Sequence, residues 1–209
     1  MPSNFASIDQ ALRDLHYYPL EETVTRTSAV DLDRLQMQYG CTLSPDYRHF
    51  LSTYGPGGLE RGAVVALPSG SHLGPHFSID ILYSLGERED WNPFHVLESQ
   101  YKTVLPSLFL PIATDAGGNL LLLQCGTGAV FAWDHEHREL TGDVIDRLVH
   151  ELGAGGLEVE KYDIGQLILM WERHHPELIK NPTGHGNLYR VADSFAQLLT
   201  AAKPHPNQQ

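Results

Sequence analysis

Four consecutive residues, Asp134, His135, Glu136 and His137, carry side chains that can bind a metal ion. In an extended strand His135 and His137 would project to the same side, as imidazole ligands for zinc or nickel. A closed site needs three or four protein ligands, and no other His or Cys lies at a signature spacing. In the interpretation that we favour, Trp133 packs into the core while Asp134 and Glu136 cap the strand end. We therefore predict no metal and no other cofactor. The alternative is a metal-dependent hydrolase, for which His135 and His137 would be the candidate ligands.

A second motif, DAGGN at Asp115–Asn119, could cradle a phosphate with its backbone amides. Phosphate-binding loops pass their amides to a following helix, whereas this one runs into an apolar strand. A structural turn is the simpler interpretation, with the Asp115 carboxylate accepting a hydrogen bond from the backbone two residues on. We expect Gly117 or Gly118 to adopt a positive φ, which glycine does without steric cost.

Nucleophilic catalysis finds no support in the sequence. There is no Gly-x-Ser-x-Gly elbow, and neither Cys41 nor Cys125 has the basic or helix-N-terminal setting that lowers a thiol pKa. Two cysteines are too few for a disulfide framework, so we expect both thiols to be reduced. The sequence thus predicts no catalytic residue and a protein that is not an enzyme.

The charge of the chain is strongly negative and unevenly spread. The net charge of −12 repels a phosphate backbone and gives no basic footprint for nucleic acid. Nine carboxylates stand against three basic residues between Asp134 and Asp163. This stretch is either a solvated acidic face or a landing site for a basic partner. The candidate partner-binding residues within it are Glu136, Glu139, Asp143 and Asp146.

Length and hydropathy limit the class of protein. The 209 residues suffice for one sizeable core and are too few for two comfortable domains. No apolar stretch approaches the roughly 20 residues that span a bilayer, and the first residues lack the pattern of a secretory signal. We expect a single cytoplasmic domain that binds no membrane.

Helices are predicted first along the chain. A capping box at Ser7 begins a short helix. A second helix spans Ser28 to Tyr39 and ends at Gly40, which can close it in the left-handed conformation. The third has Ser44 as its cap and Pro45 at its first position.

Short β-branched or aromatic runs then predict strands, after a loop at Pro56–Gly58. Asn92 and Pro93 open a helix between two of these runs. The last two strands are joined in a hairpin at Cys125–Gly128. The predicted strands are Ala63–Leu67, Phe77–Ser84, Leu108–Thr114, Asn119–Gln124 and Ala129–Trp133.

The helical period returns in the last third of the chain. Two helices are predicted over Val144–Leu152 and Ile164–Trp171, followed by a loop over Pro176–Asn187. A final helix is predicted, with apolar side chains from Leu188 to Leu199 facing the core. A frayed tail follows from Lys203. Helices, then a sheet, then helices indicate the α+β class.

Three stretches, in this order, resemble the SUKH superfamily: the capped helix LSPDYRHFLSTYGPGG, the meander FLPIATDAGGNLLLLQCGTGAVFAWDHE and the terminal helix VADSFAQLL. Members of that superfamily include fungal cell-wall-synthesis regulators and many bacterial immunity proteins that neutralise polymorphic toxins. The resemblance covers about residues 28–137 and 188–200. It leaves about 140–187 as an acidic helical insertion before the C-terminal helix.

The resemblance implies one α+β domain over residues 1–209, with a mainly antiparallel sheet of about six strands packed with helices. It also implies a binding module without catalytic machinery, whose exposed surface is matched to a partner. The long acidic insertion departs from the common form and suggests a specialised partner surface. The ATDAGG stretch lacks the further acidic residue that many relatives carry before the glycines, which argues against the turn as a binding element.

We therefore expect a bacterial immunity protein that binds a toxin without covalent chemistry. The acidic segment favours a basic toxin domain, such as a nuclease, as the partner. An intracellular regulatory scaffold of the cell-wall-synthesis type is one alternative. The hydrolase centred on His135 and His137 is the other.

Overall fold

The structure is a computed structural model that describes residues 5–21, 27–101, 105, 109–136, 150–158, 161, 170 and 187–205. Eight strands in these residues form one antiparallel sheet in the order β1 to β7, with β8 added beside β2. The helices are α1 (Phe5–Asp14), α2 (Ala29–Tyr39), α3 (Pro45–Thr53), α4 (Pro93–Val96, continued by a π-helix over Leu97–Tyr101) and α5 (Phe195–Ala201). The strands are β1 (Tyr17–Pro19), β2 (Gly57–Ala66), β3 (His76–Leu82), β4 (Phe109–Thr114), β5 (Leu120–Gln124), β6 (Val130–Trp133), β7 (Leu188–Ala192) and β8 (Lys203–Pro204).

The predicted ends of α2 are confirmed by its caps. The Ser28 hydroxyl accepts a hydrogen bond from the backbone N–H of Asp31, and Gly40 ends the helix with φ 62°. Ser44 lies at the N-cap of α3, but its side chain makes no capping hydrogen bond. The predicted start of α1 was wrong by three residues, because the helix begins at Phe5 and Ser7 lies in its first turn instead of capping it.

The loop predicted at Pro56–Gly58 is partly a strand. Gly57 and Gly58 pair with β1 on one side and with β3 on the other. The rings of Tyr17 and Tyr18 occupy the space in which a Cβ on either glycine would lie. Glycine is needed here for this close approach of aromatic rings, and a three-residue β1 was too short to be recognised from alternation.

The C-terminal prediction also needs correction. Leu188 and Val191, expected on the final helix, lie in β7, which pairs with β6. The helix itself begins only after Ser194, whose hydroxyl accepts from the Gln197 N–H. The tail from Lys203 pairs with β2. The sheet consequently has eight described strands instead of about six. The helical spacing of Leu188 and Val191 was a coincidence, since this segment pairs as a strand.

The sheet is buried on both faces in its middle strands. Leu121 and Leu123 belong to a core shared with α1, α3 and α5. Leu120 and Leu122 face a second core with Trp133 and the helix after β3. All four leucines are at most 1% exposed. An unbroken apolar run is what a strand covered on both sides requires.

The two cysteines form a disulfide, contrary to the expectation of reduced thiols. Cys41 and Cys125 are 84 residues apart in sequence, with Cα atoms 5.0 Å apart. The packing of the loop between α2 and α3 onto the β5–β6 turn brings them together, and a backbone hydrogen bond from Gly126 to Thr42 accompanies the bridge. Sequence spacing carries no information about such a contact.

Most of the predicted insertion, about 140–187, lies outside the described residues. The helices expected over Val144–Leu152 and Ile164–Trp171 and the loop over Pro176–Asn187 therefore stay predictions, apart from a described helical stretch at 150–154. Within the described part of the chain, no helix is long and apolar enough to cross a membrane.

Candidate partner-binding surface

Five of the residues in the two polar motifs of the sequence meet at one end of the sheet. There β4 ends, β5 begins opposite the end of β6, and β7 begins beside it. We call the group formed by Asp115, Asn119, Asp134, His135 and Glu136 the turn cluster. It lies where the chain leaves the sheet toward the acidic segment.

The DAGGN stretch folds as the predicted turn. One oxygen of the Asp115 carboxylate accepts from the N–H of Gly117 at 2.9 Å and from the N–H of Asn119 at 2.8 Å. Its other oxygen accepts from the Asn119 side-chain amide at 2.8 Å. Gly118 has φ 88°, the positive value expected of one glycine in the pair. The amide groups that could bind a phosphate are therefore used to hold Asp115.

Asn119 ties the turn to the segment after β6. Its side-chain oxygen lies 2.9 Å from His135 Nδ1 and 3.3 Å from the His135 backbone N–H. An amide oxygen only accepts, so this contact places a proton on Nδ1. That nitrogen cannot bind a metal while the hydrogen bond is made.

Asp134 caps the end of β6, as predicted. The residue is 1% exposed, and its carboxylate accepts from the Glu136 N–H at 3.0 Å. Its backbone exchanges hydrogen bonds with Asn187 at the start of β7. Asp134 thus holds two chain segments together, while Glu136 beside it points into solvent.

Trp133 lies in the core, at 2% exposure. Its ring meets Tyr101 edge-on, with centroids 5.6 Å apart and planes at 83°. The Trp133 ring therefore anchors the base of the turn cluster and is unavailable to a partner.

The distance between the two candidate metal ligands is not described, because His137 lies outside the described residues. Among those that are described, no group of three or more His, Cys, Asp and Glu side chains is placed to hold a metal ion. The candidate partner-binding residues Glu139, Asp143 and Asp146 also lie outside. Glu136 is described and exposed.

An acidic loop that the sequence analysis missed follows β3. Glu87, Glu89 and Asp90 are all exposed in this loop, and the charge run ERED at 87–90 was the available signal. Because β3 and β4 are antiparallel, the chain leaves β3 at the end of the sheet where β4 begins, whereas the turn cluster lies where β4 ends. The acidic loop and Glu136 therefore belong to opposite ends of the sheet.

Contacts within the chain hold this loop in place. The Glu21 carboxylate accepts from the backbone N–H groups of Glu87 at 3.1 Å and Arg88 at 2.9 Å. The Arg88 guanidinium lies 3.9 Å from the centre of the Trp91 ring, a cation–π contact. The loop therefore presents its acidic side chains from a fixed backbone.

A second polar cluster joins α1 to α3, away from the sheet end. One Asp9 carboxylate oxygen lies 3.0 Å from His49 Nε2 and accepts from the Tyr54 hydroxyl at 2.8 Å. Burial raises the pKa of Asp9, but the hydrogen bonds from His49 and Tyr54 and the charges of His49 and Arg13 outweigh it and lower that pKa. Burial and the Asp9 hydrogen bond raise the pKa of Tyr54 to about 12. This arrangement fastens two helices.

Comparison with known proteins now identifies the family. The chain is 27% identical over 187 residues to the SPbeta prophage-derived uncharacterized protein YokK of Bacillus subtilis (strain 168), an alignment that covers 79% of this chain and 95% of the relative. No solved structure matches. The SMI1 / KNR4 family (SUKH-1) matches residues 26–146, more than half of the sequence and including the turn cluster. The chain therefore belongs to the SMI1 / KNR4 family, SUKH-1.

Proposed function

We propose that this protein is an immunity protein that binds a toxin and neutralises it without covalent chemistry. Family membership is the observation that carries the proposal, because SUKH-1 is known for immunity proteins and is generally non-catalytic. The relative described as prophage-derived is compatible with a role in conflict between genomes.

The partner that fits the acidic segment after β6 is a basic protein surface. Glu136 is exposed where this segment leaves the sheet. In sequence, the segment that continues from Glu136 carries an excess of carboxylates through Asp163. Toxins that act on nucleic acid expose clustered Lys and Arg, so a nuclease domain is the partner class of choice.

Affinity purification followed by mass spectrometry identifies the partner, using the tagged full chain in cells of its source. We expect a toxin domain whose inhibitory effect on growth disappears when this protein is co-expressed. Recovery of a cell-wall-synthesis enzyme instead would favour the regulatory scaffold. Elemental analysis that finds a transition metal in stoichiometric amount would favour the hydrolase at His135 and His137.

Charge reversal then tests the interface. Changing Glu136, Glu139, Asp143 and Asp146 to Lys should slow association with the partner and flatten its salt dependence, because rim charges mainly set the association rate. Glu60→Lys is the matched control, since this exposed side chain has only a 3.6 Å contact with His16. Stopped-flow association across a salt series gives both quantities. Equal rates for the reversed variant and the parent would remove the acidic segment from the interface.

A further inference from the structure

Helix α2 packs less deeply against the domain than α3 does. Leu32 is its one fully buried residue among eleven, whereas α3 buries Tyr47, Phe50 and Leu51 in nine. Leu35 and Tyr39 of α2 pack against the core while only partly buried. On the outer side of α2, Val30 is 67% and Met37 is 79% exposed. Helices this short are marginal on their own in water, so α2 depends on its attachments.

Those attachments concentrate at the C-terminal end of the helix. Cys41 follows directly after Gly40, the residue that ends α2, and forms the disulfide with Cys125 in the β5–β6 turn. The Gln36 side chain accepts from the Leu43 N–H at 2.7 Å, which closes the loop back onto the helix. Apart from this end, an Asp33–Arg48 ion pair at 2.7 Å joins α2 to α3 at a position where the aspartate is 60% exposed. Exposed ion pairs contribute little to stability.

The far side of the bridge is firmly built. Cys125 follows β5, which is paired on both sides, and is 7% exposed. Gly126 donates its N–H to the Thr42 carbonyl at 2.7 Å. The covalent bond therefore connects a weakly packed helix to one of the most deeply buried hairpins of the sheet.

We propose that the Cys41–Cys125 disulfide is a redox-sensitive latch that holds α2 on the domain. A dithiol reductant supplies two electrons and two protons: the S–S bond breaks, Cys41 and Cys125 become thiols, and the reductant closes to its own cyclic disulfide. α2 then opens independently of the sheet and exposes Leu32 next to Val30 and Met37. The sheet, α1, α3 and α5 stay folded, because their shared core includes little of α2.

Hydrogen exchange followed by mass spectrometry tests the latch, with dithiothreitol as the reductant. Peptides from α2 are compared with peptides from α3 in the same sample, so α3 reports any general loss of stability. Reduction should raise the ratio of α3 to α2 protection by about tenfold or more, because the general loss of stability lowers the protection of both helices whereas local opening lowers that of α2 further. A Cys41→Ser, Cys125→Ser variant should show the raised ratio without reductant and no further change with it.

Three results would overturn the proposal. Equal acceleration of α2 and α3 would mean that the disulfide stabilises the whole fold without gating one helix. An unchanged α2 after complete reduction would mean that packing alone holds the helix. Two free thiols titrated in denaturant before any reductant is added would mean that no disulfide forms.

Discussion

Replacing Trp133 with alanine should be among the most destabilising single changes in the described part of this chain. The side chain is 2% exposed at the end of β6, where its neighbours in the sheet register are Leu120 and Leu188. All three belong to the second core, on the face of the sheet away from α1, α3 and α5. Removal of the indole leaves a cavity beneath the turn cluster and breaks the edge-on contact with Tyr101.

The expected magnitude follows from the buried area. A buried aromatic side chain removes about 150–250 Å² from water, which corresponds to about 4–6 kcal/mol at about 25 cal/mol per Å². That figure is an upper bound, because the unfolded chain already buries part of this surface. Measured Trp-to-Ala changes in cores cost about 3–5 kcal/mol, and we expect a loss of unfolding free energy in that range for Trp133→Ala.

Urea unfolding followed by far-UV circular dichroism measures this loss. Trp133→Phe is the matched control, because it keeps an apolar ring in the site and should therefore cost less than the alanine variant. In a domain of this size the alanine variant should also melt about 6–20 °C lower. An alanine variant within about 1 kcal/mol of the parent would refute the assignment of Trp133 to the core. Losses this small are typical of substitutions at the surface, whereas a cavity in the core costs more.

A Cys41→Ala, Cys125→Ala variant, which lacks the disulfide, should lose about 4–5 kcal/mol of unfolding free energy, measured by urea unfolding under non-reducing conditions. The reason is that the bridge closes an 84-residue separation in the unfolded chain. A loss below about 1 kcal/mol would contradict the chain-entropy reasoning. Gly118→Val should lose about 1–3 kcal/mol because φ is 88°, while Gly117→Val, without a positive φ, should lose much less; thermal melts that show equal losses would count against the turn geometry. Asp9→Asn should be less stable than the parent at pH 7, and the difference should shrink as pH falls below about 4. The sign follows from the lowered pKa of Asp9, whose stabilisation is present above its ordinary value of 3.8 and is lost on protonation; a difference that persists unchanged in urea titrations at pH 3 would contradict it.

Local signals in the sequence sufficed for several elements of the candidate site. The Asp115 turn and the β5–β6 hairpin were predictable because an Asx turn and a glycine turn are each decided within about four residues. The caps at Ser28 and Gly40 act over the same range. The order of these elements was also enough to indicate the family.

Contacts between distant residues could not be read in this way. The hydrogen bond between Asn119 and His135 joins positions 16 residues apart, and it gives the histidine a structural partner that no spacing announced. The antiparallel pairing of β3 with β4 separates the acidic loop after β3 from Glu136, which the charge pattern of the sequence did not indicate. The strand at Leu188 was hidden by a helical spacing, because its strand character depends on pairing with β6, a segment more than fifty residues earlier in the chain.

The sequence by itself determined the α+β class, the caps of α2, the Asp115 turn, the β5–β6 hairpin and the resemblance to the SUKH superfamily. Each depends on the identity and spacing of residues along the chain. Tertiary structure alone decided which cysteines meet, which glycines face aromatic rings and at which end of the sheet each acidic segment lies. These depend on how the sheet and helices pack to bury apolar surface, and burial brings together residues that have no relation in sequence.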